Sequence, residues 1–477
     1  MRIFGALQGT TSIGAALRQS PRPLLVALAL ISAGALPTVA SASTAQPDPP
    51  APDGPGALSH FDLARKDCLG TARNTTSKVW YTVADGMLSD VYYPTDDNTN
   101  AETLQYVVTD GSTFTDIQQR DMTYTASALD SSGMSCRVTA TARSGRYRIV
   151  TDYVTDPTRD ALLMRVRFKP LTKGQYRLYA RLDPTVNGNG GGGSGNGGAD
   201  SAVTDTSTGH DVLVSSDLNT ATNAANRDYG QPVYMAFDGP FSQVSTGFAG
   251  QPSDGLTQLK QAHTLTTTYD SALNGNVVQV AQIMSQGHGS GRAPSSFTLA
   301  LGFGATQTSA VQNAQESLQT PFSATLQAYD RGWRHYDAAL RRPPVRLSGL
   351  SRSTVRALDR EYYVSANVVK ASEDKTFPGA ISASLASPWG QAISAGDPNN
   401  TYFGSYREIF ARDLYEAWTG LMADGDTATA RDAVLFLFDR QQQPDGSMPR
   451  NSLLNGELAP DSFNTQLDEC SYPILMA

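Results

Sequence analysis

Tyr147-Arg148-Ile149-Val150-Thr151-Asp152-Tyr153-Val154 alternates polar and apolar side chains. Successive side chains of a strand point to opposite faces, so this stretch buries one face and wets the other. The same reading extends outward. Leu162 to Phe168 and Tyr176 to Leu182 alternate on its C-terminal side. Upstream, Val79-Trp80-Tyr81-Thr82-Val83 runs into a turn at Asp85-Gly86, followed by Leu88 to Tyr93. Short alternating runs broken by Gly and Asn or Asp predict an antiparallel β-sandwich over residues 58–306.

The period changes after Thr306. Ser309 to Gln319 and Pro321 to Leu340 read as helices, with Leu326, Tyr329, Trp333 and Tyr336 recurring at threes and fours. Arg341-Arg342-Pro343-Pro344 breaks the chain, so residues 307–344 form a helical linker. Ser351 to Ala371 carries an apolar stripe of Val355, Leu358, Tyr362, Ala366 and Val369. Further helices are marked by Leu414, Trp418 and Leu421, by Val434, Leu437 and Phe438, and by the run from Thr465. Residues 345–477 are therefore all-α.

Residues 1–42 read as an export signal. Arg2, Arg18 and Arg22 precede an apolar run from Leu24 to Leu36, and Ala40-Ser41-Ala42 supplies a small-residue cleavage site. The run is too short for a comfortable membrane span. A flexible leader over residues 43–57 follows, and the expected location is extracellular.

Net charge is −8 and charged residues make up 17 %, below the usual quarter. That surface is hydroxyl-rich and has no basic face for a polyanion, which argues against nucleic acid. The five histidines form no spaced cluster, so neither a zinc site nor a cofactor is expected. Of three cysteines, Cys68 and Cys136 could pair in an exported protein, a choice the spacing leaves open. Cys470 then remains as a small apolar residue. Gly188, Gly190 and Gly193 match the dinucleotide fingerprint in form alone. The Ala-Asp-Ser-Ala-Val-Thr-Asp that follows is too short and turn-rich for the required helix, so a loop is expected.

Four segments of the helical half cluster polar groups that packing does not require. Ala383 to Gly390 presents Trp389 beside a turn, and an aromatic face suits the C–H face of a sugar. Tyr406-Arg407-Glu408-Ile409-Phe410-Ala411-Arg412-Asp413-Leu414-Tyr415 opens a helix with a donor fork and an acceptor, able to grip adjacent hydroxyls. Gln443 to Asn451 is turn-rich. Gln466-Leu467-Asp468-Glu469 places a carboxylate pair at the start of an apolar helix. Each has a bland reading: a core Trp, ordinary capping, a helix connection.

Taken in this order, the four segments resemble glycoside hydrolase family 15, the glucoamylases and glucodextranases. Thr71-Ala72-Arg73-Asn74-Thr75-Thr76-Ser77-Lys78-Val79-Trp80 and Ser89-Asp90-Val91-Tyr92-Tyr93-Pro94 are similar to the glucodextranase-type N-terminal domain. The resemblance implies a large antiparallel β super-sandwich, a helical linker and the first helices of an (α/α)6 barrel. It also implies exo-acting, inverting release of glucose from the non-reducing end of an α-glucan. On this resemblance Glu469 is the general acid, with Asp468 as the neighbouring carboxylate that tunes it. Arg412 and Asp413 hold the terminal glucose, and Trp389, Tyr406 and Asn451 complete the substrate-binding set. Phe410 departs from the Trp of many relatives. The family's general base lies well beyond the acid, so the chain is expected to hold the acid and not the base. Asp468 is poorly placed for that role, since an inverting base must stand on the opposite sugar face. Two other readings compete: a non-catalytic product whose sandwich serves as a carbohydrate-binding module, and an inverting glycoside phosphorylase. Linkage preference and oligomeric state are left open.

Overall fold

The computed structural model describes residues 47–57, 66–188, 200–218, 228–284, 295–343, 349–385, 406–459, 462 and 465–477. The proposed signal, most of the glycine run and Trp389 lie outside these residues. No described helix is long and apolar enough to cross a membrane.

The strands run in chain order as β1 (Cys68–Thr71), β2 (Trp80–Ala84), β3 (Met87–Tyr92), β4 (Thr99–Thr109) and β5 (Thr115–Ile117). Next come β6 (Met122–Ala128), β7 (Cys136–Ala142), β8 (Tyr147–Thr155) and β9 (Ala161–Pro170). They continue as β10 (Arg177–Pro184), β11 (Ser201–Asp205), β12 (Val212–Asp217) and β13 (Val233–Asp238). The last are β14 (Phe241–Phe248), β15 (Ser271–Leu273), β16 (Val277–Ile283) and β17 (Ser296–Gly304). All ladders between them are antiparallel among the described residues. One sheet orders them β1-β2-β3-β4-β10-β16-β14, with β5 beside β4; the other orders them β15-β11-β12-β13-β17-β9-β8-β7-β6.

The alternation in β8 sorts as its pattern requires. Tyr147, Ile149 and Tyr153 enter the core between the sheets, while Arg148 stays exposed. That core also takes Leu88, Leu104 and Leu178 from one sheet and Leu162, Met235 and Leu301 from the other. The β2–β3 turn sits at Asp85 and Gly86, both with positive φ of 51° and 76°, as a tight hairpin demands. Cys68 on β1 and Cys136 on β7 form a disulfide, which ties the two sheets together.

The helices are α1 (Gln118–Asp121), α2 (Gly255–Ala262), α3 (Gln307–Gln319), α4 (Phe322–Ala339), α5 (Arg352–Ala371), α6 (Ala411–Asp424), α7 (Thr427–Phe436) and α8 (Leu467–Met476). Helix α3 opens with a capping box in which Thr306 and Ser309 exchange side-chain-to-backbone bonds. It lies on the outer face of the second sheet. A Cβ at Gly302 of β17 would stand 2.4 Å from both Ala310 O and Ala314 N of that helix, so glycine permits the contact. Val154, Leu163, Val214 and Ala300 of the sheet pack there with Ala310, Ala314, Tyr329 and Trp333.

A polar seam joins the strand region to the later helices. Trp333 Nε1 donates to Thr71 O at 2.9 Å, and Trp80 Nε1 donates to Ala371 O at 2.9 Å. Lys375 Nζ donates to Thr71 Oγ1, Ala72 O and Ser77 O, and lies 4.7 Å from the Trp80 ring centroid. Each buried donor thus finds an acceptor. The seam fixes α5 and the loops after it, and those loops carry the candidate site. On α8, Leu467, Ile474 and Leu475 face solvent at 84 %, 73 % and 62 % exposure, while Met476 packs inward.

Candidate active site

The site forms where the N-termini of α6 and α8 meet. Tyr415 of α6 stacks on Tyr472 of α8 at 4.4 Å between centroids, and Leu414, Leu421 and Met476 share one apolar cluster. This packing brings Arg412 and Asp413, in the first turn of α6, against Asp468 and Glu469, in the first turn of α8.

Glu469 is fully buried. Its Oε2 accepts the backbone N–H of Arg412 at 2.9 Å, while its Oε1 has no hydrogen-bond partner among the described residues. Burial drives its pKa up to about 7, with the Arg412 N–H and guanidinium opposing. A carboxyl with that pKa is substantially protonated near neutrality, and its second oxygen has no hydrogen bond to hold the proton back.

Asp468 behaves in the opposite way. Arg412 Nη1 donates to its Oδ2 at 2.5 Å, in an ion pair whose members are both about one-third exposed or more. Desolvation pushes Asp468 upward, and the Arg412 bond and charge outweigh it, leaving the carboxyl below its usual value. Adjacent carboxyls are therefore split into one neutral and one ionised, the arrangement expected of an acid and its charged neighbour. Arg412 Nη2 also approaches Glu469 Oε1 to 4.0 Å. Asp413 is half-buried, and burial raises its pKa against the pull of Arg412.

The loop before α6 is held from behind. Ile409 pairs with Ser452 through reciprocal backbone bonds of 2.9 and 3.0 Å, and Gln441 Nε2 donates to both Ile409 O and Ser452 Oγ. Asn451 Nδ2 donates to Glu408 Oε2 at 2.5 Å. Asn451 and Glu408 are both buried, at 0 % and 1 % exposure, so the structure places Asn451 as a brace of the Arg412 loop. The sequence reading places it instead on the substrate face. An Asn in a turn-rich loop reads equally well as either, because its partner lies far away in sequence.

Tyr406 is half-exposed and holds a left-handed φ of 64°, uncommon for a bulky residue. Its carbonyl accepts Ser384 N at 2.8 Å, and its ring stands 6.2 Å from that of Phe410. Arg450 lies 5.6 Å from the Phe410 ring centroid. These groups give the site an aromatic wall beside the Arg412 loop. Trp389 cannot be placed with them, since it lies outside the described residues.

Arg407 and Gln441 went unread in the sequence. Arg407 is fully buried, with its guanidinium 5.4 Å from the Tyr92 ring and Nη1 donating to Tyr92 Oη at 3.4 Å. The link carries the site loop back to β3. Its only sequence signal was a cation in a loop otherwise explained by Arg412. Among the described residues no group of three His, Cys, Asp or Glu side chains is arranged to hold a metal ion.

Comparison with known proteins shows the family. A family profile described as "Glucodextranase, domain N" matches residues 51–338. A glucoamylase of Clostridium sp. (strain G0005) is 30 % identical over 429 residues, covering 89 % of this chain and 54 % of that protein. The crystal structure of a bacterial glucoamylase complexed with acarbose superposes with a TM-score of 0.76 at 29 % identity, covering 90 % of this chain and 58 % of that one. The chain thus spans little more than half the length of the relatives it matches. With the family profile covering the whole strand region and the likeness continuing through the helices, the chain belongs to glycoside hydrolase family 15.

Proposed function

We propose that this chain is the proton-donating and glucose-gripping part of an exported, exo-acting α-glucan hydrolase that works with inversion. One observation carries the reading: Glu469 is buried, held through one oxygen by the Arg412 N–H, and unpartnered at the other. In that role its neutral carboxyl protonates the glycosidic oxygen as the bond breaks. Arg412 and Asp413 grip the hydroxyls of the terminal glucose, and Tyr406 and Phe410 cover its C–H face. Asp468, ionised and paired to Arg412, keeps negative charge beside the acid and so favours its protonated form.

Inversion needs a second carboxylate, about 6.5–9.5 Å from the acid, to activate water on the other sugar face. Asp468 adjoins Glu469 in sequence and is committed to Arg412, so it does not fit that place. We assign the base to the part of the relatives' length that this chain does not span, and we read α5 to α8 as opening helices of an (α/α)6 barrel. Export rests on residues 1–42. The test is glucose release from maltotriose by residues 43–477 and by the chain extended through the coding sequence after codon 477. Negligible release by the first and turnover by the second is expected. Equal turnover by both would place a base within residues 43–477 and refute this division of labour.

A further inference from the structure

The stretch Thr71–Trp80 carries an arginine that the site does not use. The loop after β1 lays Arg73 over Tyr336 of α4, its guanidinium carbon 4.6 Å from the ring centroid. Gly332, one turn earlier, admits the loop: a Cβ there would stand 3.3 Å from Arg73 Cβ. Arg73 makes no hydrogen bond or ion pair among the described residues, and its Nε is buried without a partner. A buried guanidinium N–H left unsatisfied is costly, and such groups are normally paired.

Arg73 borders an open cavity of about 290 Å³, lined by His335 and Ala339 of α4, by Leu340 just after it, and by Gly425 and Asp426 of the α6–α7 turn. Asp426 accepts Tyr336 Oη at 2.9 Å, Thr429 Oγ1 at 2.8 Å and Thr429 N at 3.2 Å. A carboxylate has about four lone-pair sites, so one acceptor position remains. The cavity therefore offers a cation with an unpaired N–H, a residual anionic acceptor, an imidazole able to do either, and apolar walls. Its charges balance. An anion would meet Asp426 and a cation would meet Arg73, whereas a neutral polyol gains from both. The volume lies at the lower end for ligand sites, which suits a single ring.

We propose that this cavity is a second, non-catalytic saccharide site taking one hexose unit of a neutral α-glucan. The choice of glucan rests on the proposed function. The cavity lies at the Gly425 end of α6, whereas Arg412 lies at the other end. Fourteen residues of helix separate the ends by about 20 Å. A short oligosaccharide at Arg73 is thus remote from Glu469, and a long glucan can be anchored there while its terminus is gripped elsewhere.

The test is calorimetric titration of maltotriose onto the full chain carrying Asp413→Ala, which removes the grip at the candidate active site. Binding is expected to persist, and to weaken at least tenfold on adding Arg73→Ala. Ala339→Trp, which starts from an exposed residue at the cavity rim, fills the space without deleting a buried contact and is expected to weaken binding equally. It decides alone if Arg73→Ala fails to fold. Undiminished binding in a folded form of either variant overturns the proposal, as does saturable binding of inorganic phosphate with none of maltotriose. Loss of binding in these variants alongside a failed hydrolysis test would sink the catalytic reading alone. Hydrolysis with binding indifferent to Arg73 and Ala339 would sink this site alone.

Discussion

Replacing Glu469 by Gln is expected to make the protein more stable at alkaline pH relative to the parent, because the parent buries a charge there. In the folded chain the carboxyl titrates at about 7, against 4.5 for an ordinary glutamate. Each pH unit of displacement is worth about 1.4 kcal/mol, so the native state loses about 3 kcal/mol once the group ionises. The folded state binds the proton more tightly than the unfolded one. Stability therefore falls as pH rises from about 4.5, and the full cost is reached just above 7. The Glu469→Gln variant has no such titration. Its new amide can still accept the Arg412 N–H, and any cost of the unpaired NH₂ is the same at every pH. Urea denaturation of both proteins at about pH 4.5, 6 and 8 should show the difference in unfolding free energy shifting by about 2–3 kcal/mol in favour of the variant across that range. Parallel stability curves would mean that Glu469 titrates like a solvated carboxylate, and the acid would lose its physical basis.

Other perturbations probe the frame that positions the acid. Trp333→Ala removes a buried indole and its bond to Thr71 O, and should cost about 3–5 kcal/mol in urea denaturation; a loss under about 1 kcal/mol would mean the seam contributes little. Cys136→Ser opens a link between residues 68 positions apart, which by chain entropy should cost about 4 kcal/mol. An unshifted melting midpoint would contradict that. Asn451→Ala leaves Glu408 without its amide donor and should destabilise the chain by about 1–3 kcal/mol. Full stability with weakened maltotriose binding would instead return Asn451 to the substrate face. Ile474→Ser with Leu475→Ser should reduce hydrophobic-dye binding by the purified chain, since both side chains are exposed; unchanged fluorescence would locate the apolar surface elsewhere.

The strand half was legible where one face of a strand meets water. β8 alternates because Arg148 is solvated while Tyr147 and Ile149 are not. β3 is buried on both faces, because Tyr92 turns outward against Leu385 and Trp80, so its polarity pattern carries less information. β4 opens with Thr99-Asn100, both buried polar residues that no period signals; Asn100 donates to Tyr93 O and Asn98 O and accepts Asn187 N. Helix α2 escaped notice because it is a short insertion capped by Asp254 inside a run of strands. In the site, Arg412, Asp413, Asp468 and Glu469 were legible as local motifs at helix starts. Their mutual geometry was not, since it depends on α6 packing against α8. The Glu408–Asn451 and Arg407–Tyr92 contacts pair residues 43 and 315 apart in sequence, separations that a local pattern does not encode.

The most direct test of Glu469 as the proton donor of an inverting glucosidase is proton NMR of the anomeric region during maltotriose hydrolysis. It is carried out on the chain extended past codon 477, with and without Glu469→Gln. The β-anomer of glucose should appear first and mutarotate afterwards, and Glu469→Gln should slow its release by about 10²–10⁴-fold, the usual contribution of a general acid. Initial release of the α-anomer, or a Glu469→Gln variant as fast as its parent, would contradict the assignment.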